Sequence, residues 1–488
     1  MDAPFQPLDL SEFPPEIGAP LDMTLITAAV AEMVPRECLL THGEEFLEYG
    51  KDTSMARGRP GLVVRAQHVN HVRHVLHVAN HFSAPVYPRG LGSGLSGGAV
   101  PVAGGIVLDV SPMNRLLEVE PGNRSCRVEP GLTVQQLNIQ LSEQGLWFPP
   151  WPSSHDISSI GGNIAENAGG ITTVKYGTTK HWVLGLRCVL AGGGMLATGS
   201  HSVKDVAGLD LTSLICGSEG MLAVVVEAEL RLLPLPLAVG TAVFIFDSDS
   251  AALAAAEAVI ASPLTPRTIE FLDALAIWCV VRQLGDEARE VLGDAAAEDG
   301  TGRAVLALET DAHTEPDALE QLKGLRSILE GCGGRAIGMT TDRAEALKLW
   351  RVRSEVSPAC AQLGAYKLAE DVAVPRQRMV EFLRGVQAIA ARYGLKWLNY
   401  GHVGDGNFHL TLMFESEDDP RLPDGLAALR EAFKLAVALG GTITAEHGVG
   451  TVKAPYLELM RDSEHIALLK RLKRAFDPKG ILNPGKWL

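Results

Sequence analysis

Five glycines stand within eleven residues at Pro88-Arg-Gly-Leu-Gly-Ser-Gly-Leu-Ser-Gly-Gly98. So dense a run frees the backbone from side-chain constraint. It leaves a loop whose backbone can approach a ligand closely and aim several N–H groups at one anion. A Walker loop is excluded, because no Gly-Lys-Ser/Thr follows. Gly90-x-Gly92-x-Gly94 has the wrong third spacing for a dinucleotide fingerprint. The same character returns twice. Pro152–Gly170 carries four glycines, two asparagines and several hydroxyls, with Tyr176-Gly177 close behind, and is not expected to be a packed helix throughout, since each interior glycine costs about 1 kcal/mol relative to alanine; Leu214–Leu222 is a third such loop. Read from the residues alone, each loop is either a ligand cradle or an ordinary surface loop.

Composition narrows the class. The 488 residues include 51 glycines, above the usual ~7%. A hydrophobic fraction of 46% excludes a mostly disordered chain. The formal charge of −15 disfavours nucleic-acid binding, which needs a basic surface. No apolar run reaches the ~18 residues of a spanning helix. The acidic, proline-containing start MDAPFQPLDLSEF reads against a signal peptide. Cys38, Cys126, Cys188, Cys216, Cys279, Cys332 and Cys360 are odd in number, scattered and without a C-x-x-C pair. They read as reduced thiols of a cytoplasmic protein and give no iron–sulfur motif.

Periodicity gives an α+β chain. Residues 1–55 read as a helical segment, with Leu25, Ile26, Val30 and Met33 at helical spacing. Short strands at 61–65, 86–87, 105–109, 182–191 and 221–233 alternate with a helix over 68–82 and one over 134–145 capped by Thr133. The prolines of Leu232–Leu237 read as a linker. Beyond it, strands at 239–246 and 303–309 and helices at 250–261, 315–330 and 343–363 form a second α+β region, and a helix over 463–475 follows. The division expected is 1–55, 56–235, 236–440 and 441–488.

Two further motifs carry chemistry. Tyr400-Gly-His-Val-Gly-Asp-Gly-Asn-Phe-His409 sets two histidines seven apart around a turn, and Ala445-Glu-His-Gly-Val-Gly450 follows. If the turn folds the chain back, two imidazoles and a carboxylate make an open site for Zn²⁺, Mn²⁺ or Fe²⁺. The alternative is a pair of loop histidines satisfied by hydrogen bonds. His68, His71, His74, His77 and His81 recur every three or four residues on one helix. They read as a mostly solvated face behind the core stripe of Val69, Val72, Leu76 and Ala79.

Taken jointly, the glycine loops and the histidine motifs resemble the FAD-linked D-2-hydroxyacid dehydrogenases of the vanillyl-alcohol-oxidase-like flavoproteins, from about residue 55 to the C-terminus. The resemblance implies a two-part FAD-binding domain of that type. It adds an α+β substrate (cap) domain and a C-terminal segment returning to the flavin. It assigns Pro88, Arg89, Gly90, Gly92, Ser93, Gly94, Ser96, Gly97 and Gly98 to the FAD pyrophosphate. Ser153, Ser154, Gly161, Gly162 and Asn163 line the flavin and ribityl chain, and Pro152, Ile160 and Asn167 belong to the same cofactor site. Gly169, Gly170, Tyr176, Gly177, Glu219, Gly220 and Asn483 complete the pocket. Some relatives attach FAD through a histidine in the first loop; residues 89–98 contain none, so the FAD is expected to be non-covalent. The role of His155, in the second loop, stays open.

By the same resemblance His402, His409 and Glu446 ligate a divalent metal, His447 is the general base and Arg353 clamps the substrate carboxylate. A D-2-hydroxy acid would be oxidised to the 2-oxo acid by hydride transfer to flavin N5. Electrons would pass to an external acceptor: an electron-transferring flavoprotein, an iron–sulfur subunit or a quinone. The protein would be cytoplasmic, or peripheral to a membrane through a partner; the locally basic Lys470–Arg474 reads as a solvated helix end. The 2-hydroxyglutarate enzymes carry a lysine in the slot that falls on Ala369, with Lys367 nearby, and an asparagine where Thr411 stands. Both departures favour a short substrate, D-lactate first and glycolate next, over D-2-hydroxyglutarate. Two readings of other classes are a metal-dependent hydrolase built on His402, His409 and Glu446, and a non-catalytic flavoprotein relay.

Overall fold

The computed structural model describes residues 5–10, 21–293 and 302–488. The helical reading of the N-terminus also covers residues 1–4 and 11–20, which lie outside the described residues. The chain forms two compact units: Met1–Ala168, Thr178–Leu235 and Glu446–Leu488 in the first, Gly169–Gly177 and Pro236–Ala445 in the second.

The first unit holds a sheet of Leu39–Leu40 (β1), Leu62–Arg65 (β2), Val86–Arg89 (β3) and Ile106–Asp109 (β4), in the order β1-β2-β4-β3. β4 runs parallel to β2 and to β3, and β1 is antiparallel to β2. Parallel strands need a crossover, which the helix Val69–Phe82 supplies between β2 and β3. Val72, Val75, Leu76 and Ala79 of that helix share a core with Val64, Val86, Ile106 and Leu108. Leu116–Glu120 (β5), Ser125–Val128 (β6), Leu146–Trp147 (β7), Val183–Val189 (β8), Met195–Gly199 (β9), Val224–Arg231 (β10) and Leu233–Pro234 (β11) follow. An antiparallel sheet of order β5-β6-β10-β8-β9 results, and β11 pairs with β7. The Pro-rich stretch expected to be all linker thus begins as a two-residue edge pair, where a proline's missing N–H is harmless.

Several expectations are corrected here. The N-terminal segment is not all helix: Met23–Ala31 and Glu44–Glu48 are, with a 3₁₀ turn at Arg36–Cys38 and β1 between them. Pro35 restricts Val34 and stops the first helix. Lys473, expected in a solvated helix end, is buried; its Nζ donates to Asp477 Oδ2 (2.6 Å), Leu482 O (2.6 Å) and Met221 O (2.7 Å). Nor is the histidine face solvated throughout. His71 and His74 are 4% and 0% exposed. His74 Nε2–H donates to Ala29 O at 2.9 Å, so the helix Met23–Ala31 covers that face. All seven cysteines are free, and only Cys332 is exposed.

Burial, helped by neighbouring His68 and His74, pushes His71 down to about 4, and burial lowers His74 as well. Unfolded imidazoles titrate near 6.5. Below that pH the unfolded chain therefore binds protons that the folded chain refuses. The stability held by neutral His71 is complete above pH 6.5 and is lost as the pH falls from 6.5 towards 4. The melting temperature should drop through that window, and His71→Gln should make the drop shallower; identical pH profiles for the two proteins would contradict this.

The second unit is built on Ala238–Phe246 (β12), Thr268–Leu272 (β13), Ala304–Ala312 (β14), Arg335–Thr340 (β15), Tyr366–Ala373 (β16), Trp397–Gly401 (β17) and Asn407–Phe414 (β18). They form one seven-stranded antiparallel sheet, β15-β12-β14-β13-β17-β18-β16. Ile277, Val280, Val352 and Val356 from its helices share a core with Val243, Val305 and Leu398 of the sheet. The helix expected over 343–363 is broken into Arg343–Ser354, Val356–Ala359 and a 3₁₀ turn Cys360–Leu363. Pro358 lacks the N–H that would bond to Ser354 four residues back.

Candidate active site

In the second unit the two histidines converge. β17 and β18 are neighbours, with Tyr400 opposite His409. The reversal between them needs glycine: Gly406 has φ +84, and a Cβ there would lie 2.1 Å from Val374 O. The result sets His409 Nε2 3.4 Å from His402 Nε2, with both residues buried. Asp371, opposite His409 on β16, accepts from Thr444 Oγ1 (3.0 Å) and from Ala445 N–H (2.7 Å). It therefore pins the backbone of the residue that precedes Glu446. Ala369 and Thr411, the two departures noted above, are register partners on the same strands. With His409 and Asp371 two residues along, all four share one face of the sheet.

Sequence reasoning missed Glu270. It lies on β13, where the pairing of Phe271 with Gly401 places it beside His402. Its Oε1 accepts from His402 Nδ1–H at 2.6 Å and its Oε2 from Arg353 Nε–H at 2.6 Å. Burial alone would raise this carboxyl, but His402 and Arg353 outweigh it and leave it below its ordinary value. One signal was available: a glutamate in the middle of the apolar strand Thr-Ile-Glu-Phe-Leu must find a partner when buried. Arg353 is 7% exposed, with its guanidinium 5.1 Å over the Tyr400 ring. Its donor set faces the histidine pair's own carboxylate partner, a contact that a surface arginine would lack.

The first unit gathers the glycine loops. A Cβ on Gly90 would lie 2.2 Å from Ser159 Oγ, so the first loop meets the second directly. Arg89 Nη1 donates to Lys51 O at 2.8 Å, and a Cβ on Gly92 would strike its guanidinium. The second loop is partly helical, Ile160–Glu166, capped by Ser159 Oγ. Gly161 is needed there for packing, since a Cβ would lie 2.6 Å from Pro130 Cβ. Pro152, Ser153 and Ser154 lie in the turn before it, where His155 stacks on Trp151 at 4.1 Å.

The C-terminal segment laces these loops together. Glu219 accepts from Val449 N–H (2.8 Å) and Gly450 N–H (2.7 Å). Asn483 Nδ2 donates to Gly98 O (2.9 Å) and Glu219 O (2.5 Å), and Lys486 Nζ to Gly97 O (2.8 Å). Lys486 and Glu166, absent from the expected set, belong to this cluster. Burial, then the Glu219 carboxylate, pushes Glu166 well up. Asn167, Glu219 and Asn483 are three of the five non-glycine residues with positive φ among the described residues. Such backbone persists where the surroundings over-determine it, which is common at ligand clamps. Gly169, Gly170, Tyr176 and Gly177 pack with the second unit, where the Tyr176 hydroxyl and Lys175 both donate to Asp311.

These residues fit a large polar ligand. The Ser158 hydroxyl and the Asn163 Nδ2 are buried without a hydrogen-bond partner in the protein. A buried polar atom left so is costly, and a polar cofactor satisfies it. The histidine pair fits a metal. With Nδ1–H donating to Glu270, the Nε2 of His402 carries a lone pair that faces a second imidazole nitrogen.

Comparison with known proteins identifies the family and its FAD cofactor. Residues 60–199 match the FAD binding domain family, and residues 235–487 match the family of FAD linked oxidases, C-terminal domain. The chain is 37% identical to the glycolate oxidase subunit GlcD of Bacillus subtilis, covering 90% of this chain and 92% of that one. It is 34% identical to the D-lactate dehydrogenase of Archaeoglobus fulgidus (87% and 90% covered) and 33% identical to the D-2-hydroxyglutarate dehydrogenase of Xanthomonas citri pv. viticola (94% and 96%). The fold resembles that of p-cresol methylhydroxylase, with a TM-score of 0.77 at 16% identity over 97% of this chain and 98% of that one. The chain belongs to the FAD-linked oxidases, and is a flavoprotein oxidoreductase of that family.

Proposed function

We propose that the chain is a FAD-dependent dehydrogenase of short D-2-hydroxy acids, D-lactate first and glycolate next, yielding the 2-oxo acid. The observation that carries this reading is the buried His402–His409 pair, tied through Glu270 to Arg353. His402, His409 and Glu446 would hold the divalent metal (zinc, manganese or iron). The FAD would be held without a covalent bond by the three glycine loops and the segment 446–488. When bound, FAD supplies a two-electron acceptor and the metal a Lewis acid. Arg353 binds the substrate carboxylate through its planar donors. His447 takes the hydroxyl proton on its imidazole. The acceptor that would reoxidise the cofactor is an external carrier (an electron-transferring flavoprotein, an iron–sulfur subunit or a quinone), because the scattered cysteines offer no cluster ligands. Among the described residues no helix is long and apolar enough to cross a membrane. A cytoplasmic site, or attachment to a membrane through a partner, is the setting we infer.

Ala369 and Thr411 support the preference for short substrates over D-2-hydroxyglutarate. Facing each other two residues from His409, they offer no cation to a second carboxylate. A metal-dependent hydrolase leaves the match of residues 60–199 to an FAD binding domain without a purpose. Steady-state dye reduction tests the specificity. Ala369→Lys with Thr411→Asn should raise kcat/KM for D-2-hydroxyglutarate by about tenfold or more, the value of one charge-assisted pair. It should lower that for D-lactate. An unchanged ratio would remove these positions from substrate selection.

A further inference from the structure

We infer that Glu270 is a positioning residue that couples metal binding to substrate binding, because one buried carboxylate orients both His402 and Arg353. The inference rests on the metal and the arginine roles proposed above and adds a residue to them. Glu270 is fully buried on β13, and each of its oxygens has one donor: His402 Nδ1–H and Arg353 Nε–H, both at 2.6 Å. An isolated carboxylate in such a place is strongly disfavoured, so the three groups hold one another in place. The consequence for His402 is a fixed tautomer. With its proton on Nδ1, it presents the Nε2 lone pair towards His409 Nε2, 3.4 Å away. The consequence for Arg353 is a fixed fork. Its Nε is committed to Glu270 and its face to the Tyr400 ring, which leaves the terminal nitrogens as the carboxylate donors.

A glutamine at position 270 can accept only one of the two bonds, since its amide nitrogen must face a donor. In FAD-loaded protein freed of metal by a chelator and titrated with Zn²⁺ alone, Glu270→Gln should weaken binding about 10–100-fold. KM for D-lactate should rise in the same variant, while flavin content stays at the wild-type level. Arg353→Lys should raise KM and weaken Zn²⁺ binding less than Glu270→Gln does, because the carboxylate still orients His402; a merely structural role for Glu270 predicts wild-type Zn²⁺ affinity in both variants. If the glutamine variant fails to retain FAD, histidine ¹⁵N NMR of the metal-free wild type decides. His402 protonated on Nδ1 supports the inference, and an Nε2–H form overturns it. Wild-type Zn²⁺ binding that Glu270→Gln matches overturns the inference alone. No metal uptake by the wild type overturns the metal reading and the inference together.

Discussion

Replacing His447 by Asn should abolish reduction of the bound flavin by substrate on the experimental timescale, a loss of roughly 10²–10⁴-fold expected for removal of a general base. Asparagine keeps an amide near the position of the imidazole Nδ1 but does not accept a proton near neutral pH. The fold should survive the change, because the chain just beyond is fixed independently. Val449 and Gly450 donate to Glu219, and Thr451 N–H donates to Ser96 O at 2.9 Å. Flavin content and melting temperature should therefore match the wild type. KM should change less than kcat, since a base acts in the transition state and not in ground-state binding. Flavin bleaching at the wild-type rate would remove His447 from the mechanism.

His409→Ala should abolish uptake of the divalent metal proposed for the pair and lower kcat by about a thousandfold, the several kcal/mol that a Lewis acid contributes. Elemental analysis of the purified variant, alongside its flavin absorbance, separates this from unfolding. Metal should be lost and FAD kept, because the glycine loops, Gly169–Gly177 apart, belong to the first unit and His409 to the second. Full activity in a metal-free variant would refute the role of the pair.

How much of this was legible in the sequence depended on distance along the chain. The convergence of His402 and His409 was readable because one Gly-Asp-Gly reversal joins them. Glu270 was not, because its partners stand 132 and 83 residues away and only the order of strands in the sheet brings them together. The histidine helix misled for a related reason. Its spacing gives a face without saying what covers it, and the cover comes from Met23–Ala31, where Ala29 O meets His74. A basic helix end favours solvent, yet Asp477 and two carbonyls hold Lys473 inside. Conversely, the glycines were legible in number but not in purpose. Gly161 serves close packing on Pro130, and Gly406 serves a reversal against Val374. The strands were the easiest to read, since short apolar runs bounded by glycine and proline announce themselves.

The most direct test of the central claim is anaerobic bleaching of the flavin in the purified wild-type protein by D-lactate, L-lactate, glycolate, D-2-hydroxyglutarate and D-malate. Rapid bleaching by D-lactate, then glycolate, is expected, with L-lactate and D-2-hydroxyglutarate slow or inert. Bleaching by L-lactate alone, or by none of the five, would contradict it.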